Sequence, residues 1–252
     1  MRNGKFFMKK PFLSVIIPAY NEAKRLPLTL IDIDKWIEKQ DFLVEVIVVN
    51  DGSKDNTAEI VKKFEKTFPY LKLIDNYKNQ GKGAVVRQGM LFSQGNWRLF
   101  MDADNSTTID HFEKMLPYIR KGYDVIIGSR DPKDAKGACQ AIPQPLWKRF
   151  LGNIGNILIQ IMAVPGIWDT QCGFKCFSER AAREIFSRTK INGWAFDIEV
   201  LSLARKLGYK IAIIPVYWRN NPFSHVKLKA YFKVLKELIK IRINLWRNVY
   251  QI

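Results

Sequence analysis

Short apolar runs alternate with amphipathic segments along the first half of the chain. The apolar runs, which predict buried strands, span 13–20, 44–51, 71–75, 97–101 and 124–128. Between them, apolar residues recur every three or four positions, which predicts helices over 21–40, 53–68, a stretch ending at Gln94, and roughly 109–121. Because the strands of a parallel sheet covered on both faces are apolar along most of their length, this alternation predicts an α/β fold with a mainly parallel sheet.

The pattern changes after residue 130. A loop rich in Pro, Gly and Ala leads into a weakly amphipathic segment at 146–164. Beyond it, the spacing predicts helices over 179–189 and 193–208 and a strand over 210–218. Because no repeat or obvious linker interrupts the chain, we expect one large domain. The expected organisation is a flexible N-terminus at 1–10, a domain over 11–222, and a helical extension over 223–252.

The strand at 97–101 ends in two carboxylates, within the stretch WRLFMDADNSTT at 97–108. Asp102 and Asp104 repel each other unless a cation lies between them or water solvates both. Oxygen ligands without His or Cys suit Mg²⁺ or Mn²⁺, and phosphate groups and water commonly fill the remaining coordination positions. The pair therefore predicts a Mg²⁺ or Mn²⁺ site, with a pair of solvated acids as the alternative.

Other polar residues fall at the same predicted edge of the sheet, where parallel α/β sheets bind their ligands. Asp51 ends its strand, where its carboxylate could accept a hydrogen bond from a base or a ribose hydroxyl. Lys82 stands between two glycines at the start of a helix, an arrangement that suits an anion. Arg130 lies two residues beyond the strand predicted over 124–128. There it could bind a phosphate through two hydrogen bonds or form a surface salt bridge.

The net charge of +17 predicts a polyanionic partner. The densest basic run, at 224–250, has an apolar face and an opposing basic stripe, which is typical of a helix on an anionic membrane surface. An ordinary helix packed on the core, with a solvated basic face, is the alternative. The apolar face comprises Leu228, Tyr231, Phe232, Leu235, Leu238, Ile239, Leu245, Trp246 and Val249, and the basic stripe comprises Lys229, Lys233, Lys236 and Lys240.

A second segment, 143–164, has a similar character. Lys148 and Arg149 stand beside its apolar face, which predicts either a second membrane-surface helix or a buried core helix. No apolar run has the length and purity of a transmembrane helix. Nucleic acid is disfavoured as a partner because the strand ends carry acids and the basic residues follow a helix. The three cysteines predict reduced thiols in a cytoplasmic protein.

Several motifs together resemble one family. VIIPAYNEA (15–23), VNDGSKDNT (49–57), NQGKGAVVRQG (79–89), DADNST (102–107) and GSR (128–130) are similar to the inverting nucleotide-sugar glycosyltransferases of family 2, which have a GT-A fold. DTQCGFKCF (169–177) and WAFDIEVL (194–201) resemble the polyprenyl-phosphate sugar synthases, most closely the dolichyl-phosphate β-glucosyltransferases. The related mannose synthases usually have DADLQ. DADNST is nearer to the DADGAT of the glucosyl enzymes, which favours UDP-glucose over GDP-mannose.

The resemblance implies a Rossmann-like GT-A catalytic domain and a set of residue roles. The implied nucleotide-sugar contacts are Pro18, Tyr20, Glu22, Asp51, Lys82 and Asp102, and the implied metal ligands are Asp102 and Asp104. The implied catalytic residues are Asp104, Arg130 and Asp197. The implied contacts to the acceptor and its phosphate are Arg130, Arg149, Gln171 and Lys175.

Asp197 and Glu199 match the position at which other members of the family keep a general base. A lipid monophosphate needs no such base, because its second pKa of about 6 leaves it largely ionised at neutral pH. We therefore expect Asp197 to orient the sugar or a cationic group. The implied reaction is inverting transfer of a hexose, chiefly glucose from UDP-glucose, to a polyprenyl phosphate at the cytoplasmic membrane face. GDP-mannose as the donor, or a sugar hydroxyl as the acceptor, remain alternatives.

Overall fold

The computed structural model describes residues 10–140, 155–219 and 228–252. Its strands are β1 (Leu13–Ala19), β2 (Val44–Asp51), β3 (Leu71–Asn76), β4 (Trp97–Met101), β5 (Val125–Ser129), β6 (Cys139–Gln140), β7 (Phe174–Ser178), β8 (Ile211–Pro215) and β9 (Tyr217–Trp218). Seven of them form one sheet in the order β3-β2-β1-β4-β7-β5-β8, and β6 and β9 form a separate parallel pair. Every pairing in the large sheet is parallel except those of β7. The predicted α/β fold with a mainly parallel sheet is confirmed.

The antiparallel strand β7 is not predicted by the sequence pattern. Lys175 stands in its middle, between Phe100 of β4 and Ile127 of β5, and this charged residue obscures an otherwise apolar run. The strand brings the preceding residue, Gly173, against the carboxyl end of β4, where Gly173 C=O accepts from Asp102 N–H. The DTQCGFKCF segment therefore enters the centre of the sheet beside the acidic pair.

Helices cover both faces of the sheet. They are α1 (Leu26–Ile37), α2 (Thr57–Glu65), α3 (Lys82–Phe92), a 3₁₀ helix (Ile109–Lys114), α4 (Leu116–Arg120), α5 (155–162), α6 (Glu179–Phe186), α7 (Phe196–Lys206) and α8 (Leu228–Trp246).

Several predicted elements have different bounds, and the helices predicted over 53–68 and 193–208, for example, are shorter at both ends. The helix predicted over 21–40 begins only at Leu26, and Asn21 has a positive φ of 57° that helices do not use. The single helix predicted over 109–121 is wrong, because Pro117 has no N–H to continue the helical hydrogen bonds, and the segment divides into the 3₁₀ helix and α4. The strand predicted over 210–218 divides into β8 and β9 on either side of Val216.

Alternate residues of the central strands divide between two apolar cores. On one face, Ile16 of β1 belongs to a cluster with residues of α3, α6 and α7. On the other face, Val15 and Ile17 pack in a cluster with α1 and Phe112 of the 3₁₀ helix. Helix α8 joins the first cluster through Leu238 and Ile241, so it is packed on the domain beside α7.

Candidate active site

Asp102 and Asp104 follow β4 at its carboxyl end, as the sequence predicts. Asp102 N–H donates to Gly173 C=O at 3.1 Å. A Cβ at position 173 would lie 2.0 Å from Asp102 Oδ2, so only glycine leaves room for this carboxylate. The side chains of Asp102 and Asp104 are 34% and 21% exposed, so both carboxylates are partly accessible to solvent.

Lys82 is the first residue of α3, and its ammonium group donates to Asp102 Oδ1 at 2.6 Å. Burial lowers the pKa of Lys82, but the nearby carboxylates of Asp102 and Asp197 outweigh that effect and hold the pKa above its usual value. The ring of Trp194 lies 5.3 Å from Lys82 Nζ, a cation–π distance. The site therefore keeps a positive charge directly beside the acidic pair.

Asp51 positions the turn that leads to Lys82. Its two carboxylate oxygens accept from Gln80 N–H at 2.6 Å and Gly81 N–H at 3.0 Å. Gly81 has a φ of 100°, and a Cβ there would lie 2.4 Å from Asn192 O. The turn is thus held closely against the segment that precedes α7. The contact of Asp51 with a nucleoside stays a prediction.

A buried ion pair lies behind Lys82 and Asp102. Lys175 Nζ donates to Asp197 Oδ1 at 2.6 Å and also to Cys172 C=O, and the two charged side chains are 0% and 4% exposed. Burial raises the pKa of Asp197, and the charge of Lys175 offsets only part of that increase. The enclosed ammonium group of Lys175 holds the carboxylate of Asp197 in place. Its implied contact with an acceptor phosphate stays a prediction that this burial does not favour.

Arg130 lies just beyond β5 and pairs with Asp169. Its Nε and Nη2 donate to the two carboxylate oxygens at 2.8 and 2.7 Å, and its Cζ is 5.3 Å from the ring of Trp218. Burial raises the pKa of Asp169, but Arg130 more than compensates and holds the pKa below its usual value. Of the two predictions for Arg130, the salt bridge is therefore present, and it is largely buried rather than on the surface. Phosphate binding by Arg130 stays a prediction.

The implied nucleoside contacts surround the end of β1. Pro18 is buried within β1, whereas Tyr20, just past the strand, is 41% exposed. Glu22 accepts from Arg25 Nε at 2.6 Å, and Arg25 Nη1 lies 3.6 Å from Asp104 Oδ2. Burial raises the pKa of Glu22 despite this partner. Arg25 thus links the end of β1 to the acidic pair.

The remaining predicted residues have different positions. Gln171 lies near α7, where its Nε2 is 3.5 Å from Trp194 O. Glu199 is completely buried and holds other parts of the fold, because its carboxylate accepts from Lys190 N–H, Ile191 N–H and the hydroxyl of Tyr250. Of the two candidate acids, Asp197 is therefore the one near Lys82 and Asp102. Arg149 and residues 143–154 of the predicted 143–164 helix lie outside the described residues.

Sequence reasoning did not assign roles to Arg25, Asp169, Trp194 or Trp218. Asp169 opens the DTQCGFKCF motif, which marks the segment as important but does not reveal its partner 39 positions away. Trp194 belongs to the aromatic stretch before α7, which is unusual for a free surface. Each of these contacts joins segments that are far apart in the sequence, so sequence periodicity could not identify them.

A divalent cation fits the acidic pair. Over residues 10–140, 155–219 and 228–252, no group of three or more His, Cys, Asp and Glu side chains could hold a metal ion, and the assignment of Asp102 and Asp104 as metal ligands stays a prediction. Two partly exposed carboxylates suit a hard cation that takes its other ligands from phosphates and water. Lys82 and Arg25 now balance part of their negative charge.

The outer face of α8 is apolar and exposed. We call Phe232, Leu235, Ile239, Ile243 and Trp246 the outer stripe. Their exposure ranges from 38% for Leu235 to 72% for Trp246, whereas Leu238 on the inner face is 2% exposed. The packing of α8 on the core is confirmed by Leu238 and Ile241, and binding of its outer face to a membrane stays a prediction. Among the helices that the structure describes, none is both long enough and apolar enough to cross a bilayer.

Comparisons with known proteins agree with this geometry. Residues 14–186 match the pattern of "Glycosyl transferase family 2". A dolichyl-phosphate beta-glucosyltransferase of Trichomonas vaginalis is 39% identical over 249 residues, covering 94% of this chain and 73% of that protein. A dolichyl-phosphate beta-glucosyltransferase of Homo sapiens is 35% identical over 250 residues, covering 92% and 75%.

Solved structures share the fold. Glucosyl-3-phosphoglycerate synthase from Mycobacterium tuberculosis, in complex with Mn²⁺, UDP-glucose and phosphoglyceric acid, superposes with a TM-score of 0.68 at 16% identity, covering 92% of this chain and 80% of that chain. Mannosyl-3-phosphoglycerate synthase from Rubrobacter xylanophilus gives a TM-score of 0.69 at 16% identity, covering 96% and 76%. Both are similar to this chain in fold.

Proposed function

Because this chain belongs to glycosyl transferase family 2, we propose that it transfers glucose from UDP-glucose to the phosphate of dolichyl phosphate or another polyprenyl phosphate. The observation that carries this proposal is the Lys82–Asp102 pair beside Asp104, at the sheet edge where ligands bind. It combines oxygen ligands for a divalent cation with a fixed positive charge for a diphosphate. The names of the relatives at 39% and 35% identity support the sugar and the acceptor.

The reaction requires no proton transfer from the acceptor. A phosphate oxygen of the acceptor attacks the anomeric carbon on the side opposite the diphosphate. The new carbon–oxygen bond forms as the bond from that carbon to UDP breaks, and UDP leaves with the electron pair. An α-linked donor therefore gives a β-linked product. The acceptor monophosphate is largely ionised at neutral pH, since its second pKa is about 6.

The chain's residues would then bind and orient the reactants. Asp102 and Asp104 would hold Mg²⁺ or Mn²⁺, which when bound neutralises charge on the diphosphate. Lys82 adds a positive charge at the same position, and its ammonium is fixed by Asp102 before substrate binds. Asp197, held by Lys175, would accept a hydrogen bond from the sugar or orient Lys82.

The outer stripe supports a membrane location for this reaction. An exposed apolar face bordered by Lys233, Lys236 and Lys240 suits the boundary between headgroups and hydrocarbon, where the acceptor phosphate is found. Cys139, Cys172 and Cys176 are all free thiols, which supports the cytoplasmic face. The protein would be bound peripherally through α8.

The decisive experiment offers the protein each donor with a polyprenyl phosphate. Radiolabelled UDP-glucose with Mg²⁺ or Mn²⁺ should give label that extracts into organic solvent, and chelation by EDTA should abolish it. Label from GDP-mannose instead would replace glucose with mannose in the proposal. Transfer only to a polysaccharide acceptor offered in a parallel reaction would replace the lipid acceptor, and no transfer from any donor to either acceptor would refute the activity.

A further inference from the structure

A cleft of about 290 Å³ lies apart from the Asp102 site, between α8 and two loops of the domain. Its lining includes Lys190 of the loop before α7, and Lys233, Glu237 and Lys240 of α8. We propose that this cleft binds the phosphate group of an anionic lipid headgroup. The proposal rests on the membrane location argued above but not on the identity of the sugar or the acceptor.

The position of the lysines on α8 supports a headgroup as the occupant. Successive helical residues turn by about 100°, so Lys233, Glu237 and Lys240 share one face of α8. That face lies between the buried residues Leu238 and Ile241 on one side and the outer stripe on the other. If the outer stripe rests in the hydrocarbon boundary, the lysines of the cleft lie at the depth of the phosphates.

The charge of the cleft suits an anion. Three lysines outnumber its single carboxylate, Glu237, and Glu237 Oε2 already accepts from Ala195 N–H at 3.0 Å. By contrast, the nearest cation of the active site, Lys82, is paired with Asp102. The exposed ammonium groups of Lys190, Lys233 and Lys240 are thus the positive charges that a phosphate could recruit without breaking an active-site ion pair.

The occupant would contact the two loops that build the active site. Asn79, Gln80 and Gly81, which line the cleft, form the turn that leads to Lys82. Asn192 and Gly193, which also line it, precede α7 and Asp197. A phosphate in the cleft would therefore bridge α8, the Lys82 turn and the start of α7.

The test compares vesicles of equal charge but different headgroup chemistry. One set contains phosphatidic acid in phosphatidylcholine, and the other carries the same negative charge as lipid carboxylates. The wild-type protein should bind the phosphatidic acid vesicles about fivefold more tightly, because a phosphate offers the cleft lysines three acceptor oxygens where a carboxylate offers two, whereas the attraction to negative charge is common to both sets. Lys190→Gln should remove this preference. Lys236→Gln, the matched change on α8 outside the cleft, should weaken binding to both sets and leave the preference intact.

Competition by a soluble phosphate shows whether the cleft recognises phosphate itself. Vesicle binding shows whether that phosphate belongs to a lipid. Glycerol 3-phosphate that competes for the Lys190-dependent part of vesicle binding would support a phosphate site. Equal binding of the wild-type protein to both vesicle sets, or equal loss of preference in Lys190→Gln and Lys236→Gln, would overturn the proposal. Soluble phosphate binding through Lys190, with no Lys190-dependent vesicle preference, would overturn the lipid source. Because no sugar donor is present, these outcomes are independent of the transferase assay.

Discussion

Asp104 and Asp102 are balanced to different degrees. Lys82 lies 2.6 Å from Asp102, whereas the guanidinium of Arg25 is 3.6 Å from Asp104. Asp104 therefore keeps more of its charge available to a divalent cation. Asp104→Asn should lower kcat by at least about a hundredfold, since it removes a ligand of the cation that would neutralise charge on the leaving diphosphate. Label transfer at saturating donor and Mn²⁺ measures this loss.

A matched control variant distinguishes the loss of a charge at the site from a general effect on folding. Asp110→Asn makes the same change on the 3₁₀ helix, where the side chain is 64% exposed. Both variants should keep the thermal unfolding midpoint of the wild type, because neither removes a buried group. An Asp104→Asn enzyme with the activity of Asp110→Asn would contradict the metal role.

The buried pair of Lys175 and Asp197 is a second test at the level of single residues. Lys175→Met leaves the carboxyl group of Asp197 buried without its cation, which should cost about 3–5 kcal/mol of unfolding free energy at neutral pH. Urea unfolding measures the cost. Lys175→Met combined with Asp197→Leu should recover much of it, because no unpaired charge is then buried.

The pH dependence of the same variant has a definite sign. Burial already raises the pKa of Asp197, and removing Lys175 raises it further. The folded state of Lys175→Met then binds a proton that the unfolded state releases near its usual pKa of 3.8, so stability falls as pH rises through this window. The destabilisation should be smallest in acid. A loss of unfolding free energy in Lys175→Met that does not change with pH would contradict the ion pair between Lys175 and Asp197.

Among the site residues, the sequence predicts those that end strands and not those that pair across the fold. Asp102, Asp104 and Arg130 follow apolar runs, so their common edge is predictable. The partner of Arg130 and the burial of Lys175 depend on β7, whose central lysine hides its strand character. The ion pairs of single residues such as Arg130 and Lys175 therefore depend on contacts between distant segments, which the local sequence pattern does not reveal.

At the scale of elements, α8 has one apolar face that is buried and one that is exposed. Its sequence shows an amphipathic helix but cannot divide the apolar residues between core and surface. The structure buries Leu238 and Ile241 and exposes the outer stripe. Removing the whole helix would therefore also open the core, so substitutions in the outer stripe are the sharper test of membrane binding.

Matched alanine substitutions separate the two faces. Phe232→Ala with Ile239→Ala should weaken binding to vesicles about tenfold or more, because apolar area that enters the boundary is lost, and should change stability by less than about 0.5 kcal/mol per site. Leu238→Ala should cost about 2–5 kcal/mol of unfolding free energy through loss of core packing. Vesicle sedimentation and urea unfolding measure the two effects. Unchanged sedimentation of the double variant would contradict the role of the outer stripe.

At the scale of the whole molecule, the net charge of +17 favours anionic partners, whereas the pair of acids at the site favours a cation. The acids Asp102 and Asp104 lie at the carboxyl end of β4, whereas Lys233, Lys236 and Lys240 lie exposed on α8. Salt screens exposed charges over about 10 Å at 0.1 M, but it screens buried pairs such as Lys175–Asp197 much less. Rising ionic strength should therefore weaken binding to anionic vesicles steeply while the outer stripe retains weak binding to neutral ones. In detergent, where no charged surface is present, kcat should change far less over the same salt range. Parallel losses of vesicle binding and detergent activity would mean that the basic surface acts on the substrates themselves rather than on the membrane.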